Sequence, residues 1–85
     1  MAEIMAIEIS GGRRADGVIE PTNDKRKAEF WTIYRRDRYV TGVTLVQAII
    51  TFPHVNTVEH TARRLATWYE VPYRGFQTIY TEEEN

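Results

Sequence analysis

Asn56-Thr57-Val58-Glu59-His60-Thr61-Ala62-Arg63-Arg64-Leu65-Ala66-Thr67-Trp68-Tyr69-Glu70-Val71-Pro72 carries the clearest periodicity in the chain. Val58, Ala62, Leu65, Ala66 and Tyr69 fall at i, i+4, i+7, i+8 and i+11, one apolar stripe of an amphipathic helix. Glu59, Arg63, Arg64, Thr67 and Glu70 take the opposite side. Asn56 is placed to accept from the free N–H groups of the first turn, and Glu59, three residues on, completes a capping-box pattern. Pro72 has no N–H and pushes Val71 out of the helical region, so the helix is expected to end near Glu70. A helix of about four turns is marginal alone in water, and its stripe needs a surface to cover.

The β-rich segments on either side supply that surface. Ala28–Arg36, with Phe30, Trp31, Ile33 and Tyr34, reads as a strand, and Asp37-Arg38 as the turn after it. Tyr39–Phe52 is dense in β-branched residues. Leu45–Ile50 alone could pass for a buried helix turn, but the composition favours strand, with a break at Gly42 and an end at Pro53. Gly75–Thr81 alternates as a third strand, Phe76, Thr78 and Tyr80 on one face. The expected architecture is α+β in two layers, β-β-α-β, a helix on a three-stranded antiparallel sheet with the last strand beside the first. Trp31, Leu65 and Trp68 are expected in or beside the interface of helix and sheet.

Outward from this domain, 28–82, the chain changes character. Ile4–Ile9 is a short β-prone run ended by Ser10-Gly11-Gly12, which reads as turn chemistry. Gly11–Lys27 is rich in Gly, Asp, Asn, Pro and charge. Residues 1–27 are therefore expected to be a flexible segment with a short strand at most, Ile4–Ile9 or a brief one at Gly17–Glu20, and dispensable for folding when removed before Lys25. Glu82-Glu83-Glu84 opens an acidic tail over 83–85.

Eighty-five residues suffice for one domain with a small core. Cysteine is absent, so no disulfide or thiolate metal site can form, which suits a reducing cytoplasm. No stretch approaches the roughly 18 apolar residues of a membrane span, and Glu3 and Glu8 interrupt what would be a signal peptide. A cytoplasmic location follows as the expectation. His54 and His60 lack a third ligand of matched spacing, so neither a metal nor another cofactor is expected. Gly11-Gly12 is not followed by the Gly-Lys-Ser/Thr of a phosphate loop, and Ser10, the chain's one serine, has no nucleophile elbow around it. No enzymatic activity is expected.

Net charge is −1, yet eight of the eleven basic residues lie before position 40. Among them Tyr34-Arg35-Arg36-Asp37-Arg38-Tyr39 places arginine beside tyrosine at the expected hairpin tip. Arginine and tyrosine together grip phosphate and stack on bases, or anchor protein interfaces. The candidate contacts are Arg35, Arg36, Arg38, Tyr39 and, if first and last strands are neighbours, Tyr80 on the same face.

Phe30-Trp31 opening a strand, a helix ending Leu65-Ala66-x-Trp68, then Val71-Pro72 and Gly75-Phe76 before the last strand, resembles the small host RNA polymerase inhibitors of T-odd type podophages, over about residues 27–82. The resemblance implies a helix-on-sheet fold with a flexible N-terminal segment. It also implies binding to the jaw of the largest subunit of bacterial RNA polymerase, which blocks a productive promoter complex. The family's acidic residue at the end of the first strand and its two last-strand arginines are replaced here by Arg35, Tyr80 and Glu82, so its charged contacts do not carry over. The expectation is a phage-encoded inhibitor acting in the host cytoplasm on a protein partner. A nucleic-acid-binding accessory protein, or an inhibitor of another host complex such as a defence system, are the alternatives.

Overall fold

The computed structural model describes residues 2–80. The elements are β1 (Ala2–Ala15), β2 (Val18–Pro21), β3 (Phe30–Tyr39), β4 (Thr44–Phe52), α1 (Val55–Tyr69) and β5 (Tyr73–Phe76). The expected α+β, helix-on-sheet class holds, but the sheet has five strands rather than three. It runs β2-β1-β3-β4, all antiparallel, and β5 lies parallel to β1. β5 takes Ile7–Ile9 of the β1 edge while β2 takes Gly12–Ala15, so the two short strands share one side of β1 end to end.

The largest correction concerns residues 1–27. The segment expected to be flexible supplies β1, the strand at the centre of the sheet, with Ala6, Ile7, Ile9, Glu8 and Ser10 all buried. Ile7 and Ile9 form one core with Trp31, Ile33, Val58, Ala62 and Ala66. The polar positions that disguised the strand are satisfied by residues distant in the chain. The Glu8 carboxylate is ion-paired, and the Ser10 hydroxyl accepts the Ile79 N–H at 3.3 Å. Nor do the glycines make a turn. A Cβ on Gly11 would collide with the Thr22 carbonyl oxygen and with the Trp31 ring at 2.7 Å, and one on Gly12 with the Phe30 ring at 2.8 Å. The true turn is Asp16-Gly17, both at positive φ (54° and 81°), the two-residue hairpin for which Asp-Gly is the strongest short signal.

Asp37-Arg38 does not turn. β3 runs on to Tyr39, and the chain reverses over residues 40–43, where Gly42 adopts φ 89° and Tyr39 N–H reaches Val43 O at 2.9 Å. The break expected at Gly42 is this reversal, and β4 carries a separate irregularity at Ile49, an extra residue between the Ile50 and Ala48 partners of β3.

The helix starts one residue before the expected cap. His54 is the N-cap residue and makes no side-chain capping bond, so Asn56 and Glu59 form no capping box. Glu70 closes the other end in the left-handed region (φ 59°), its N–H and that of Val71 reaching back to the last helical carbonyls. Alanine at 62 and 66 lets the helix lie close on the sheet, and Leu65 and Tyr69 border the core half-buried. Trp31 meets Phe76 edge-to-face at 5.5 Å.

The last strand is Tyr73–Phe76 rather than Gly75–Thr81, and it neighbours β1 rather than β3. Ile7 N–H to Pro72 O (3.0 Å) and Gln77 N–H to Ile9 O (2.7 Å) fix its register. Thr81, Glu82 and the expected acidic tail lie outside the described residues.

Candidate binding surface

The arginines expected to face a partner are turned onto carboxylates of their own chain. Arg35 donates from Nε and Nη2 to both oxygens of Asp37 at 2.9 Å, and Nη2 also to Gln47 Oε1 at 3.0 Å. Asp37 is 1% exposed, and the guanidinium also lies over the Tyr69 ring at 6.0 Å. Arg36 donates to both oxygens of Glu8, at 2.8 and 3.0 Å, and Arg74 reaches the same carboxylate at 3.5 Å. Hydrogen bonds to Asp37 and Glu8 respectively hold Arg35 and Arg36 above the ordinary guanidinium value against the cost of burial. Arg38 meets Glu3 at 2.9 Å on the surface.

Alternation along β3 sends Arg35 to the helix-covered face and Arg36 to the other. Tyr39 is half-buried at the strand end, and Tyr80 is 80% exposed beyond β5, with β1 between β5 and β3. The five candidate residues therefore share no face. Their sequence proximity suggested a patch, but pairing with Glu8, Glu3 and Asp37 is long-range or strand-dependent information.

What the fold leaves open is different. β4 is an edge strand, and among the described residues it pairs with β3 alone. Its register sets Phe52, Ile50, Gln47 and Leu45 on the helix-covered face and Thr51, Ala48, Val46 and Thr44 on the other. The helix does not reach far enough to close the first set. Leu45 is 52% and Ile50 43% exposed, and Ile49 and Val43 are also open.

The orientation of α1 follows from Tyr73. Its ring lies 4.6 Å from the Arg63 guanidinium, and its hydroxyl donates to Glu59 at 3.4 Å. Burial, reinforced by the Glu59 charge and opposed by Arg63, raises this phenol above its ordinary value. With Glu59 and Arg63 turned toward β5, Thr61, Leu65 and Trp68 fall on the flank toward β4, since 100° per residue separates the two sides. Trp68, expected in the interface, is 78% exposed. A shallow depression on this flank is lined by His60, Thr61, Arg64, Leu65 and Trp68.

One signal could have found this surface. From Tyr39 to Pro53 no residue is charged, although 27% of the chain is, which predicts about four charges in fifteen positions. Among the described residues no three histidine or carboxylate side chains group as metal ligands, and no helix is long and apolar enough to cross a membrane.

Comparison with family models, curated proteins and solved structures finds no match to the chain.

Proposed function

We propose that the protein is a binding protein that acts by occupying a surface of another protein, through the apolar face made by Trp68, Leu65, Leu45 and Ile50. The observation that carries this reading is the exposure of Trp68 beside a strand that is open and uncharged. Large apolar side chains left in water mark interaction surfaces, and tryptophan is among the residues most enriched at the energetic centre of interfaces.

For the target we propose bacterial RNA polymerase, with blocked transcription initiation as the outcome. Support comes from the resemblance, within which Trp31, Ala66 and Phe76 serve the core and Trp68 is the aromatic residue left for contact. Arg35, Arg36 and Arg38 are not part of this proposal, because each guanidinium is already held by a carboxylate. The nucleic-acid alternative would need these same guanidinium groups to exchange their carboxylates for phosphate.

Purified polymerase and an in vitro transcription reaction test both parts. The parent chain is expected to bind saturably and reduce initiation, and Trp68→Ala to weaken binding by at least about 30-fold, the loss typical of a central aromatic contact. A parent that leaves transcription untouched removes polymerase as the target. A Trp68→Ala variant that inhibits as well as the parent removes this face.

A further inference from the structure

We propose that β4 pairs with β4 of a second copy of this chain, antiparallel about a twofold axis at Val46, joining two sheets into one continuous sheet.

The two sides of the sheet are built in opposite ways. On the β1 side the edge consists of two four-residue strands, β2 ending in Glu20-Pro21 and β5 carrying Arg74 and the positive-φ Gly75. Short strands, proline, charge and irregular backbone are the usual means of keeping an edge from pairing with another chain. β4 carries almost none of them. It is nine residues long, has no charged residue, and meets its first proline at Pro53, past its end. Its one irregularity, at Ile49, leaves Thr44–Ala48 as a regular run with an outer row of backbone donors and acceptors that no described strand fills.

The neutrality of the run selects the occupant. A twofold contact sets each residue against its own kind or a near neighbour, so charge close to the axis would meet like charge. With the axis at Val46, Val46 faces Val46 of the second copy, Leu45 faces Gln47, and Thr44 faces Ala48. All five residues are uncharged, three are aliphatic, and none meets a like charge. The guanidinium groups that reach the run from β3, Arg36 to Thr44 and Arg35 to Gln47, are each answered by a carboxylate of their own chain and leave its neutrality intact.

At about 3.3 Å per residue the paired run Thr44–Ala48 is some 16 Å long. Because the axis stands perpendicular to the sheet, both helices lie on the same side of the joined sheet. The pairing uses the edge of β4 and does not depend on polymerase being the target.

Sedimentation of the full chain tests the pairing. The parent is expected at twice 10.0 kDa, and Val46→Lys, which opposes two ammonium groups at the axis, at the single mass with an unchanged circular dichroism spectrum. Thr44→Glu combined with Ala48→Lys is expected to remain dimeric, because the new acid faces the new base across the seam. A parent that sediments as a monomer at all concentrations up to about 1 mM, well above the range of specific association, overturns the proposal, whether its edge is open or covered by residues 81–85. A dimer that survives Val46→Lys overturns it as well. If Val46→Lys fails to fold, hydrogen exchange of the parent decides. Protection of outward amides in Thr44–Ala48 that rises with concentration supports the pairing, and exchange of those amides at the unprotected rate in a dimer rules it out.

Discussion

Glu8 occupies the middle of the central strand at 1% exposure, and its carboxylate accepts from Arg36 and Arg74 on either side. A buried carboxylate is tolerated only when its charge is answered, and removing one partner of such a set leaves the others uncompensated. Glu8→Ala leaves two guanidinium groups that still reach water, 27% and 47% exposed, and is therefore expected to lower unfolding stability by about 1.5–3 kcal/mol, a sizeable part of what a domain of this size possesses. Urea denaturation monitored by tryptophan fluorescence measures it, and a loss below about 1 kcal/mol would mean the cluster behaves as a surface ion pair. Glu8, with Gly11 and Gly12, also shows why the central strand was hidden in the sequence. An acidic residue and two adjacent glycines resemble a solvated turn. That the acid meets Arg36, 28 positions away, and that the glycines make room for the Trp31 and Phe30 rings is information about distant residues.

At the scale of elements, the helix was legible because its stripe is a local property, and the structure ends it where Glu70-Val71-Pro72 indicate. Its depth was not legible. Leu65 borders the core half-buried while Trp68, three residues on, stands in water. Leu65→Ala is accordingly expected to cost about 2 kcal/mol, the low end for a core leucine, and Trp68→Ala no more than about 0.5 kcal/mol. Chemical denaturation of the two variants side by side checks this, and a larger loss for Trp68→Ala would place that ring in the core after all. Asp16-Gly17 was a readable hairpin signal lying inside a stretch whose overall composition suggested disorder. There a two-residue turn outweighed the average of its surroundings, because both positions adopt positive φ. The turn expected at Asp37-Arg38 failed for the opposite reason: a buried ion pair with Arg35 keeps Asp37 within the strand.

For the whole molecule, the sheet is organised around its first strand. Removing residues 1–24 would take away β1 and β2, strip β3 of one neighbour and β5 of the one it has among the described residues, and uncover Ile33, Val58 and Ala62. The truncated chain is expected to lose its cooperative melt, and thermal circular dichroism shows it directly. Retention of the parent's transition would make β1 an accessory strand. The order of synthesis adds a consequence. β1 leaves the ribosome before the other described elements, but the bonds that close its outer edge, Ile7 N–H to Pro72 O and Gln77 N–H to Ile9 O, join it to residues made only after the helix. At about 5–20 residues per second, the intervening stretch takes roughly 3–13 s to translate. Through that interval Ile7 and Ile9 wait without the helix or β5, so the segment that finishes deepest in the protein is the one left longest within reach of chaperones and of neighbouring nascent chains.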